Sequence, residues 1–200
     1  MRERGGMRPG DRGREHDAND EASLAGMILL SHPVMKDASF KKTVVLLAAH
    51  AAGDGAMGVI LNRPLGKTLG EADESFADSP LGKIPLYEGG PVETERVIFA
   101  AWHWEAAQRR LQLHFGVDRD FAEKIVLETP DTHVRGFLGY AGWSQGQLEG
   151  ELKANAWAVV KVSAMALDNT DGTGMWRALI SLASPELHLL ADSPDEPEKN

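Results

Sequence analysis

The chain contains no cysteine. That single absence removes a disulfide framework, a Cys-ligated zinc and a thiol nucleophile together, and it fits a reducing compartment. Long hydrophobic runs are also missing. The run Val44-Val45-Leu46-Leu47-Ala48-Ala49 is stopped by His50, whereas a membrane span needs about 20 apolar residues. No membrane contact is therefore expected. The first 23 residues are charged from end to end, with no apolar stretch of the kind a secretory signal needs. The expected location is cytoplasmic. Excess positive charge is absent too: 21 Lys and Arg stand against 30 Asp and Glu, a net charge of −9. A surface that tracks phosphates should be basic, so no nucleic-acid partner is expected. The arm carrying Arg2, Arg4, Arg8, Arg12 and Arg14 is largely cancelled by Glu3, Asp11, Glu15 and Asp17.

What is present suits one globular domain. The 200 residues are 42% apolar and 26% charged, enough for a sizeable core. Residues 1–22 have almost nothing to bury and read as a disordered tail. Residues 23–190 read as the domain, and residues 191–200 as a disordered acidic tail. Short apolar runs ended by turn residues predict strands over 27–30, 43–49, 57–61, 86–87, 96–102, 111–115, 134–140 and 157–162. Helices are predicted from Asp118 through Val126, over 145–152 and over 175–183. Strands come mostly first and helices mostly late, which predicts a mixed α/β (α+β) domain built on a mixed sheet.

Four segments, in order, resemble the YqgE/AlgH family of bacterial proteins. They are Pro33-Val34-Met35-Lys36-Asp37-Ala38-Ser39-Phe40, with Thr43 to Leu47 and His50 behind it; Gly58-Val59-Ile60-Leu61-Asn62-Arg63-Pro64; Gly89-Gly90-Pro91-Val92; and Gly139-Tyr140-Ala141-Gly142-Trp143, followed by Gly146-Gln147-Leu148-Glu149, Glu151 and Trp157. The resemblance implies a strongly bent mixed sheet closing towards a barrel, with helices packed around it. It implies no reaction and no cofactor. Members often carry a transcriptional-regulator label that rests on association, and a fold alone does not supply a function.

Several residues invite chemistry. Gly142-Trp143-Ser144-Gln145-Gly146 matches the nucleophile elbow G-x-S-x-G, between a predicted strand and a predicted helix. Asp168 or Asp171, then His188, would complete a triad in the right chain order. Against this, few residues follow Ser144, and Ser144 with Gln147 has the spacing of a capping box, which gives the serine a structural role as N-cap. Glu88-Gly89-Gly90-Pro91 offers either an anion-binding nest or a tight strand-ending turn. The seven histidines (His16, His32, His50, His103, His114, His133 and His188) fall in no metal-binding spacing, so no metal is expected. Asp37, His50, Asn62 and Arg63 stand at the ends of neighbouring predicted strands, where sites are commonly built. Trp102 and Trp104, two apart on one strand face, either seal the core or form a patch for a partner.

The expectation from sequence is a non-enzymatic binding or regulatory protein acting through an unknown protein or small-molecule partner. Its candidate contact residues are Asp37, His50, Asn62, Arg63, Gly89, Gly90 and Trp143. The alternatives are a small hydrolase using Ser144 or the strand-end polar cluster, and a transcriptional regulator. No catalytic residue is assigned.

Overall fold

Each apolar run pairs its backbone with a neighbour, and together they form one nine-stranded sheet. The computed structural model describes residues 23–51, 54–163, 167 and 172–191. The strands are β1 Met27–Ser31, β2 Val44–Ala51, β3 Gly55–Ile60, β4 Pro64–Thr68, β5 Pro85–Glu88, β6 Val92–Glu105, β7 Arg110–Val117, β8 His133–Trp143 and β9 Trp157–Lys161. Their order is β4-β5-β8-β3-β2-β1-β9, with β6 also on β8 and β7 outside β6. Only β5 and β8 run parallel; the other pairs are antiparallel. The mixed α/β class is as expected.

The expected closure towards a barrel is corrected. No pairing among the described residues joins β9 back to β4 or β7. Along one edge β8 serves two partners in succession, while β6 lies along its other edge. The β8 residues Gly136 to Leu138 pair with β5, and Ala141 to Trp143 pair with β3. Between them Gly139 takes φ +70°, a left-handed value that breaks the strand's regular direction.

Three of the elements, β4 and two α-helices, lie where none is predicted. Asn62-Arg63-Pro64 reads as a strand stop, yet Pro64 opens β4, the edge position where a strand tolerates a residue without N–H. Thr68 then caps the short helix α1 (Leu69–Ala72) in a reciprocal pair with Glu71. Helix α2 spans Arg119–Glu128, and Asp118 caps it by accepting from the Phe121 N–H. Helix α3 spans Gln147–Lys153 and α4 spans Gly172–Ala183. A further helix, α5 (Pro185–Ala191), follows with Pro185 at its first position. Ala191, its last residue, is 4% exposed. The tail segments 1–22 and 192–200, and the residues Asp168 and Asp171, lie outside the described residues.

Strand alternation sorts the core. On one face Ile28, Leu30, Leu46, Val59, Trp102 and Phe137 pack against Trp176 and Ile180 of α4. On the other face Leu29, Val45, Ile60, Trp143 and Trp157 pack against Leu148 of α3. A third cluster puts Ala122 and Ile125 of α2 on Phe99, Ala101 and Val134. Trp102 is fully buried and Trp104 half-buried, which makes the first of the pair core. Its ring and that of Tyr87 each lie 4.8 Å from the guanidinium carbon of Arg135, a cation–π arrangement that accommodates a buried arginine.

Candidate functional site

Asn62, 5% exposed, is consumed by backbone. Its Oδ1 accepts from the Val44 N–H at 2.8 Å, and its Nδ2 donates to the carbonyls of Lys42 and Gly172 at 2.9 and 3.0 Å. These bonds staple the start of β2 and the start of α4 to the end of β3. Arg63 donates to Glu88 at 2.7 Å and to the Ala38 carbonyl at 2.9 Å. Asp37 closes its own turn: Oδ1 accepts from the Ser39 N–H, and its carbonyl accepts from Phe40 and Lys41. The three residues do meet at one end of the β2–β3 hairpin, each occupied in holding loops together.

His50 stands at the other end. Val45 pairs with Ile60 and His50 with Ala56, so about 20 Å of strand separates His50 from Asn62 at roughly 3.3 Å per residue. The imidazole side chain is 2% exposed, and both ring nitrogens are taken. Nδ1 accepts from the Leu24 N–H at 3.0 Å, which leaves the proton on Nε2, 3.0 Å from Glu149 Oε1. A general base needs a free nitrogen facing a substrate; this ring offers none. The Glu149 carboxyl is held below its ordinary value near 4.5, first by its own backbone N–H and then by the His50 ring. A carboxyl whose pKa is lower folded than unfolded stabilises the fold above its unfolded pKa and loses that contribution as pH falls through the folded value. Glu149→Gln is therefore expected to flatten the fall in stability below about pH 4.5, as read from urea midpoints between pH 3 and 7. A curve parallel to wild type would contradict it.

Trp143 belongs to an aromatic clamp. Oε2 of Glu151 accepts from the indole N–H of Trp143 at 2.9 Å and from that of Trp157 at 2.7 Å. Phe40 packs on both rings, with centroids 6.0 and 5.5 Å apart. The family-type residues Glu149 and Glu151 are thus structural anchors, a role visible only once α3 is laid against the sheet.

Gly89 and Gly90 are needed for a close crossing rather than for an anion. The Gly89 N–H donates to the Leu138 carbonyl, and its own carbonyl accepts from Ile60 N–H. The chain there is threaded between β3 and β8, and the first donor of the supposed nest is already spent.

Ser144 is not a helix cap, contrary to expectation. The N-cap is Gly146 at φ 73°, because the helix begins two residues later than predicted. The Gln147 side chain does reach back to the Ser144 N–H at 3.0 Å, but Ser144 Oγ donates to that same Gln147 oxygen at 3.1 Å. Nor is it an elbow nucleophile. Such a serine sits on a strained strand-to-helix turn, and Ser144 is absent from the left-handed region. His188 bonds Ser181 at 2.8 Å instead. Ser144→Ala is expected to change stability by less than about 0.5 kcal/mol, because the side chain is exposed and caps no helix N–H. A loss above about 1 kcal/mol in urea unfolding would refute this.

A concave surface lies beside these residues, on the sheet face opposite α3. It is an open cleft of about 660 Å³. Ala49 pairs with Met57 and Met57 with Gly142, which gives a lateral row along its floor. A Cβ on Gly142 would come 3.1 Å from the Tyr140 ring, so that ring lies against the bare backbone, with Val92 beside it. His50 and Trp143 border the cleft, but alternation sends their side chains to the α3 face. Sequence reasoning missed Ala49, Met57, Val92 and Tyr140, because only the strand register aligns them. Among the described residues no group of three His, Cys, Asp or Glu is placed to hold a metal, and no helix is long and apolar enough to cross a membrane.

The sequence matches the AlgH-like family model over residues 28–188. A UPF0301 protein of Parabacteroides distasonis is 32% identical over 189 residues, covering 91% of this chain and 94% of the relative. One from Streptomyces coelicolor is 32% identical over 187 residues, covering 90% and 96%. The solution structure of the AlgH protein from Pseudomonas aeruginosa is similar at a TM-score of 0.62 and 27% identity, covering 96% of this chain and all of that one. With most of its length matched by the family model and by relatives of nearly equal span, the chain belongs to the AlgH-like family.

Proposed function

We propose that the chain is a non-enzymatic binding protein of the cytoplasm that receives the apolar side chains of a protein partner in the open cleft. The observation that carries this reading is the cleft's chemistry: a floor of Ala49, Met57 and Gly142 with Tyr140 and Val92 beside it, while both ring nitrogens of the bordering His50 are already bonded. A small-residue floor leaves room for a bulky side chain from outside, while a shallow open surface encloses a small molecule poorly. Exposed apolar patches of this kind mark contact sites. The acidic net charge supports a protein partner over nucleic acid.

The test is a photo-crosslinking residue placed at Ala49 in cells, with the same residue at Leu127 on α2 as control. A discrete protein adduct from position 49, absent from 127 and abolished by Met57→Glu, is expected. Identical adducts from both positions, or none from 49, would refute the reading. Fluorophosphonate labelling that disappears in Ser144→Ala would establish the hydrolase instead. Tight, sequence-selective DNA binding at physiological salt would establish the regulator.

A further inference from the structure

A helix laid on a sheet normally meets apolar side chains, and α2 does so only along half its length. Its inward residues Ala122 and Ile125 cover Phe99 and Ala101 of β6. Alternation puts His103 next on that face. The register sets Ala101 beside His114 and His103 beside Gln112, so His103, Gln112 and His114 continue the α2 face where a core would continue. Between them and α2 lies a half-enclosed cavity of about 230 Å³.

The cavity is a slot between a helix and two strands. The strands give it His103, Gln112 and His114, α2 gives it Phe121 and Ile125, and Thr132 also lines it. His103 Nδ1 lies 3.1 Å from the Asp131 carbonyl oxygen. A carbonyl only accepts, so Nδ1 carries the proton and the neutral ring's Nε2 is an acceptor. That contact also fixes the ring's orientation. The His114 ring lies 5.6 Å from the Phe121 ring, tilted by 59°, and among the described residues no hydrogen bond ties it. Lys124 and Glu128 at the mouth face each other at 3.8 Å and are both well exposed, so the entrance carries no net charge.

We propose that this slot is a binding site for a small, neutral, planar heteroaromatic molecule with a ring N–H, which donates to Nε2 of His103 while its face lies along Phe121. Three features select this class. The volume is below the roughly 300–1,000 Å³ of drug-sized sites, which limits the ligand to one or two rings. The aromatic wall favours a flat face. The oriented acceptor selects a donor, because the Asp131 carbonyl takes the Nδ1 proton and leaves Nε2 of the neutral ring able only to accept. The site is separate from the open cleft and does not depend on the function proposed for it.

The experiment titrates 15N-labelled full-length protein with benzimidazole, and in parallel with 1-methylbenzimidazole, which has the same shape without the N–H. Saturable shifts confined to the amides around His103, His114 and Thr129 are expected with benzimidazole. The methylated probe should bind at least tenfold more weakly. His103→Leu should abolish the difference, and His103→Gln, which keeps an acceptor, should restore part of it. If His103→Leu fails to fold, the comparison of the two probes on wild type decides alone. Equal binding of both probes, no saturable shift, or shifts centred elsewhere would overturn the proposal. So would micromolar Zn²⁺ saturating the same amides and excluding benzimidazole, since the two imidazoles would then be metal ligands.

Discussion

Gly90→Ala is expected to cost more than about 4 kcal/mol, the range reserved for a buried steric conflict with no room to relax. A Cβ there would lie 2.2 Å from the Tyr140 carbonyl carbon and 2.4 Å from the Ala141 nitrogen. These atoms are backbone within β8 and cannot rotate away. Moving the strand aside would disturb the Gly89 bonds to Leu138 and from Ile60, and with them the junction of three strands. The check is urea unfolding of soluble protein, or the soluble fraction if too little folds. Gly150→Ala is the control: it lies in α3 with nothing within 4 Å of its added Cβ, and relief of glycine's backbone entropy should make it neutral or stabilising by about 0.5–1 kcal/mol. A Gly90→Ala protein as stable as wild type would show that the crossing has room for a methyl group.

Glu151→Ala carries the second large effect, a loss of about 3–5 kcal/mol. One carboxylate oxygen satisfies two indole N–H groups. Hydrogen bonds to a charged group contribute about 1.5–3 kcal/mol each, and their loss leaves both N–H donors unpartnered. Trp143 and Trp157 are each 5% exposed, so water replaces the missing acceptor poorly. Glu151→Gln keeps an oxygen without the charge and should lose about half as much. Equilibrium unfolding followed by tryptophan emission reports both stability and clamp. An alanine variant within about 0.5 kcal/mol of wild type would contradict the clamp.

Much of the fold was legible in the one-dimensional pattern. Runs such as Val44 to Ala49 and Leu111 to Phe115 became strands because β-branched and large apolar residues bounded by turns can bury a pleated face. The candidate site was less legible. Asp37, Asn62 and Arg63 do converge, but they bond the backbone of Ser39, Val44 and Ala38, and Arg63 pairs with Glu88 besides. A sequence names a polar side chain without naming its partner. His50 was grouped with them because strand ends look alike in sequence, while the antiparallel register sends it to the opposite end of the hairpin.

The sequence by itself determined the acidic balance, the absence of thiol chemistry, the mixed strand-and-helix plan and the family, since each depends on composition or on local order. Tertiary structure alone decided that the Gly89-Gly90 pair is a strand crossing, that Glu151 joins two tryptophans, and that Ala49, Met57 and Gly142 share one floor. It also brought His103 and His114, eleven positions apart in the chain, onto one wall beneath α2. Those facts depend on contacts between residues distant in sequence. Such contacts are set by strand register and by the packing of helices on the sheet, which local propensity does not encode.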